Sequence, residues 1–148
     1  MPKIDLATIE QRNRTGYPPP FDRKVAGRLV RRLSPATGLT DFGVSHVVLK
    51  PGAWSSQRHW HNGEDEFLVM LSGQATLVED EGATLLQVGD CAAWPKGNAN
   101  GHHIRNDSHR DCCFIVVGGG VCTGGGYSDI DMLFTADGHY KRKDGTPY

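Results

Sequence analysis

From Phe42 onward, short apolar runs alternate with clusters of turn residues. FGVSHVVLK (42–50) stops at Pro51-Gly52, EFLVML (66–71) at Ser72-Gly73, and QATLVED (74–80) at Glu81-Gly82. ATLLQV (83–88) stops at Gly89-Asp90, CAAW (91–94) at Pro95, GHHIRN (101–106) at Asp107-Ser108, and DCCFIVV (111–117) at three glycines. Runs of this length, evenly spaced and with no helix-length amphipathic pattern, predict an all-β sandwich or barrel. Phe67 to Leu71 is apolar at both parities. Such a strand is expected to be covered on both faces, one by the barrel interior and the other by an arm or a second subunit.

The pattern changes at both ends. Residues 1–40 read as an N-terminal arm, because YPPPF (17–21) is held extended or in turns by its prolines and the β rhythm has not begun. GRLVRRL (27–33) follows, with Arg28, Arg31 and Arg32 close together. Two readings of it stand side by side: an anion site for a carboxylate or phosphate, or a solvated strand or helix turn that packs Leu29, Val30 and Leu33 on a neighbour. The arm is expected to pack on the barrel or on a partner subunit, and because an arm of this kind can complete a partner's sheet, a homodimer is expected. GGGVCTGGG (118–126) lacks the Lys-Ser/Thr of a phosphate loop and reads as a flexible connection. The last stretch, 121–148, is expected to fold over the barrel of residues 41–120. Asp129 and Asp131 in it do not have calcium-loop spacing.

Composition narrows the classes. A chain of 148 residues has room for one domain with a real core. Net charge is −1 and no long apolar run is present, so neither a nucleic acid nor a membrane is an expected partner. MPKIDLATIEQ lacks the zones of a secretory signal, and a cytoplasmic location is the default. Cys91, Cys112, Cys113 and Cys122 form no CxxC pair and are expected to be reduced, packed as small apolar side chains.

The chemistry concentrates in two stretches. In PGAWSSQRHWHNGEDEFLVMLSG (51–73), His59 and His61 are one residue apart. On a strand they share a face, with Trp60 on the other. Asn62-Gly63 lets the chain bend, and Glu66 opens the next apolar run, where its carboxylate can return toward the imidazoles; Glu64 and Asp65 are the alternatives. Two imidazoles and a carboxylate can occupy one face of a metal and leave other positions open. In GDCAAWPKGNANGHHIRN (89–106), His102 and His103 offer a further imidazole. Arg58 and Arg105 have a parity opposed to that of the histidines. Trp54, Trp60 and Trp94 could line a barrel mouth or simply pack.

These two stretches resemble the paired motifs of the cupin superfamily, in its small single-domain bacterial form. Gly52, His59, His61, Glu66 and Gly73 match the first motif, and Gly89, Pro95, Gly97, His102 and Asn106 match the second. Four residues rather than two separate Gly97 from the histidine. His102 keeps the motif's spacing to Asn106, and His103 is held in reserve. The resemblance implies a double-stranded β-helix, or jelly-roll, barrel that holds a divalent metal (Fe, Mn, Zn, Ni or copper) through His59, His61, Glu66 and His102. It gives the fold and not the substrate.

Four protein ligands in an octahedral set leave two positions for a bidentate substrate or dioxygen. A metal-dependent isomerase or lyase acting on a small oxygenated substrate (sugar, sugar phosphate, or hydroxy or keto acid) is the leading expectation. An iron-dependent dioxygenase is the alternative, and a non-catalytic, metal-stabilised binding or sensor module is the third. Glu66, His46, His103 and Glu64 are the candidates for the proton-transferring group.

Overall fold

The strands follow the apolar runs. The computed structural model describes residues 3–148, so Met1 and Pro2 of the expected arm lie outside the described residues. Short 3-10 turns at Leu6–Thr8 and Arg23–Val25 lead to β1 (Arg28–Arg32) and a single-turn helix, α1 (Leu33–Thr37). Then come β2 (Phe42–Leu49), β3 (His59–His61), β4 (Glu64–Ser72), β5 (Ala75–Glu79), β6 (Gly82–Leu86) and β7 (Cys91–Trp94). The chain finishes with β8 (His103–Arg105), β9 (Cys112–Gly120), β10 (Gly125–Tyr127), β11 (Leu133–Phe134) and β12 (Tyr140–Lys141).

Three antiparallel sheets result. One has the order β1-β2-β9-β4-β7, the second β12-β11-β10-β3, and the third β6-β5-β8. Crossovers between strands far apart in sequence are what a jelly roll requires. Alternation along the strands fills the barrel with Leu49, Leu68, Met70, Leu77, Leu86, Ile104, Cys112 and Phe114. Cys112, fully buried, and Cys113, partly exposed on the other face, alternate as adjacent strand residues must, and all four cysteines are free. No helix among the described residues is long and apolar enough to cross a membrane.

Turn residues close the strands where the sequence places them. Gly73 has φ +71°, and a Cβ there would press on Asp111 and Cys112 of the neighbouring strand. A residue with a side chain would meet both a left-handed backbone and a steric block.

Three expectations need correction. The arm packs on its own barrel and extends the barrel's sheet rather than lying outside it: β1 pairs along its whole length with β2 of the same chain, and Arg12 bridges back to Val30. The arm therefore lies at the β2 edge and leaves Phe67 and Leu71 on the outer face of β4, 42% and 46% exposed in the single chain. A β-bulge between Met70 and Ser72 turns Leu71 out of the ladder. The glycine-rich run is not merely a connection, since Gly118–Gly120 ends β9 and Gly125–Tyr127 is β10, paired with β3. Division of the chain at residue 120 accordingly cuts through a sheet.

Candidate metal centre

β3 is only three residues long, and its surroundings fix it from two sides. Tyr127 of β10 lies opposite His59 on one side. His102 bridges to His59 on the other, with backbone hydrogen bonds of 2.9 and 3.1 Å. A Cβ on Gly126 would collide with the Trp60 indole, and one on Gly125 with the Trp60 carbonyl and the Phe134 ring. Glycine is thus what lets β10 approach β3.

The strand alternation then works as expected. His59 and His61 project to the cavity side, with their Nε2 atoms 3.2 Å apart. The Glu66 Oε2 atom lies 3.4 Å from His61 Nε2 and 3.2 Å from His102 Nε2. One ligand atom from each of His59, His61 and Glu66 lies within 4.8 Å of the others. His102 is buried, its ring stacked at 3.8 Å on Trp94, which anchors itself by donating Nε1–H to Glu79 at 2.8 Å.

The donor chemistry fits a cation. His59 Nδ1 sits 3.1 Å from the Gln57 carbonyl, which can only accept, so Nδ1 carries the proton and Nε2 keeps its lone pair. Glu64 lies 3.4 Å from His61 Nδ1 and favours the same tautomer there. In that tautomer two imidazole lone pairs face each other beside a carboxylate, an arrangement that calls for a positive charge between them: a cation, or a proton on His61 Nε2 shared with Glu66.

Titration in this cluster follows from burial and from Glu66. Burial pushes His59 down to about 3, against the pull of the Glu66 charge. For His61 burial also disfavours the cation, but hydrogen bonding and charge from Glu66, helped by Glu64, outweigh it and raise the group. Burial would raise Glu66, and its hydrogen bonds to His102 and His61 overcome that and hold it well below the carboxylate range. Glu66 is thereby kept ionised.

Two proposed proton-transfer residues do not reach this place. Ser45 and Val47 of β2 line the cavity, so His46 between them faces outward, with its Nε2 3.0 Å from Cys113 Sγ. His103 has the parity opposite to His102 and Ile104, stacks on Trp54 at 4.5 Å and directs Nδ1 to the Ser56 carbonyl at 3.2 Å. The structure thus separates the two adjacent histidines: His102 meets Glu66, and His103 does not. Arg58 and Arg105 also face away from the cavity, Arg58 paired with Asp129 and Asp80, Arg105 with Asp107. Of the tryptophans, only Trp94 lines the cavity.

The cavity itself has a volume of about 590 Å³. Sequence reasoning missed much of its wall: Tyr17 comes from the arm, and Tyr127, Phe134 and Tyr140 come from the C-terminal stretch. Phe134 packs edge-on against His61 at 5.4 Å. Their type offered a signal, because three aromatics within a stretch otherwise rich in Gly and Asp suggest something for them to cover.

Comparisons with known proteins agree with this architecture. A family model described as Cupin domain matches residues 45–118. A crystal structure described as a sugar phosphate isomerase of the cupin superfamily, from Silicibacter pomeroyi, is 42% identical, with a TM-score of 0.93 over 99% of this chain and 96% of that one. A candidate sugar phosphate isomerase from Acidithiobacillus ferrooxidans is 26% identical, with a TM-score of 0.70 over 78% of this chain and 76% of that one. A polyketide cyclase from Streptomyces resistomycificus shares the fold at 20% identity, with a TM-score of 0.65 over 80% and 79% of the two chains. No curated protein matches the chain.

Proposed function

This chain belongs to the cupin family, and from its cavity we propose a metal-dependent isomerase that acts on a small sugar phosphate. The convergence of His59, His61 and Glu66 on one wall of the cavity carries the reading. His102, next to Glu66, is proposed as the fourth ligand. A volume of about 590 Å³ suits a ligand of a few carbons better than a polymer. The likeness at 42% identity to a structure described as a sugar phosphate isomerase supports the substrate class.

When bound, a divalent ion supplies Lewis acidity to two adjacent oxygens of the substrate. The chain's own residues do the rest. His59 and His61 hold lone pairs in place through Gln57 and Glu64. Glu66 is the carboxylate that lines the cavity, and it is the group proposed to accept a proton from a substrate carbon and return it to the neighbouring one. Phe134 and Trp94 keep water from the wall around it.

Elemental analysis of the protein purified without added metal, combined with aldose–ketose interconversion followed by NMR under nitrogen, tests this. About one metal per chain, lost in His61→Ala together with turnover, is the expected result. Substrate-dependent oxygen uptake would instead indicate the dioxygenase, and a metal-free protein with unchanged turnover would overturn the proposal.

A further inference from the structure

Apart from Glu66 and the imidazoles, the charged lining of the cavity is entirely cationic: Arg12, Arg14, Arg28 and Arg32. Arg12 is paired with Glu10. Among the described residues, the other three have no carboxylate within ion-pair distance.

Arg28 is the unusual one. It is the first residue of β1 and is only partly exposed, unlike Arg14 and Arg32. Its guanidinium donates to the Ser55 carbonyl and, at 3.3 Å, to the Arg14 carbonyl, so two neutral oxygens position it and no negative charge neutralises it. Burial consequently lowers its pKa. Three phenols line the same cavity: Tyr17 stacks on Tyr140 with centroids 5.7 Å apart, and Tyr127 meets both edge-on at 5.7 and 6.3 Å. Burial pushes Tyr17 up to about 12 and raises Tyr127 further, so these hydroxyls are donors at neutral pH. A half-buried guanidinium fork without a counter-ion, sharing its cavity with hydroxyl donors, is costly unless an anion completes it.

This group adjoins the imidazole cluster. Ser55, which Arg28 holds, precedes Ser56, whose Oγ lies 3.1 Å from His59 Nδ1. Tyr127 is the register partner of His59, their rings 6.0 Å apart. We propose that Arg28 with Tyr17, Tyr127 and Tyr140 forms the subsite for the phosphate of the substrate, whose oxygenated end meets His59, His61 and Glu66. The assignment rests on reading this cavity as a substrate site. Phosphate is favoured over carboxylate because three unpaired arginines line the cavity, and a dianion uses more of that charge than a monoanion. Arg14 and Arg32, more exposed, add attraction at the rim.

Calorimetric titration of the protein as purified, with the metal content of each sample measured beside it, keeps this test separate from the metal centre. The probes are inorganic phosphate, ribose 5-phosphate, ribose and ribonate. Ribose 5-phosphate should bind well above ribose and ribonate. Arg28→Met should weaken ribose 5-phosphate and phosphate by about 30-fold or more while leaving metal content unchanged. Equal binding by wild type and Arg28→Met, or ribonate binding as tightly as ribose 5-phosphate, would overturn the subsite without touching the proposed isomerase. Should circular dichroism show Arg28→Met unfolded, Arg14→Ala/Arg32→Ala takes its place. A several-fold weakening with a flatter salt dependence is then expected, and unchanged affinity overturns the proposal.

Discussion

His102 and His103 are neighbours in sequence and opposites in environment. One ring lies between Trp94 and Glu66, the other between Trp54 and the Ser56 carbonyl, where burial pushes it down to about 4. Parity alone makes that split, so His102→Ala should lose most bound metal in elemental analysis and His103→Ala should keep it while melting lower. The reverse pattern would assign the ligand to His103. His46 makes a different prediction. Burial and then the Arg31 charge lower its pKa in the fold, so the unfolded chain binds the proton more readily. The stability it contributes is present above the ordinary histidine range near pH 6.5 and is lost as pH falls through the lowered folded value. Melting curves at pH 7.5 and pH 5 should therefore show a larger acid loss for wild type than for His46→Gln. At this scale the sequence was informative wherever alternation decides: His59 with His61, and Arg58 and Arg105 facing away. It was misleading for His46, because the parity of β2 becomes readable only once Ser45 and Val47 are seen facing the cavity.

At the scale of elements, the apolar runs marked β2, β4, β5, β6, β7 and β8 within a residue or two, and β9 up to its three closing glycines. The strands β10, β11 and β12 of the C-terminal stretch were not legible. β10 is Gly-Gly-Tyr, with almost no side-chain pattern, and it forms because its lack of Cβ atoms lets it lie against Trp60. Gly126→Ala should force the two strands apart, at a cost of about 1–3 kcal/mol. Because β3 carries both imidazoles, metal affinity should fall along with the melting temperature. Gly119→Ala is the control: it sits in β9, where a Cβ would meet only ordinary contact at 3.7 Å, and it should melt close to wild type with its metal retained. Equal behaviour of the two variants would remove the close-approach argument.

At the scale of the molecule, the cavity draws on the whole length of the chain. The described residues that line it run from Arg12 to Tyr140, and the arm and the C-terminal stretch contribute as directly as the barrel strands. That is why an arm, a barrel and a tail, drawn as three consecutive regions, describe the sequence better than the site. The arginine cluster of residues 28–32 shows the same limit: as sequence it suited a solvated strand as well as an anion site, and it became a cavity wall only when β1 paired with β2.

The pairing of β3 with Tyr127 also bears on biosynthesis. The three-residue strand with the two imidazoles gains its β10 neighbour only when residues 125–127 have left the ribosome, 64 positions after His61. A nascent chain stalled before that point would hold β3 from the His102 side alone, so the proposed ion site would be complete only in a chain synthesised past Tyr127.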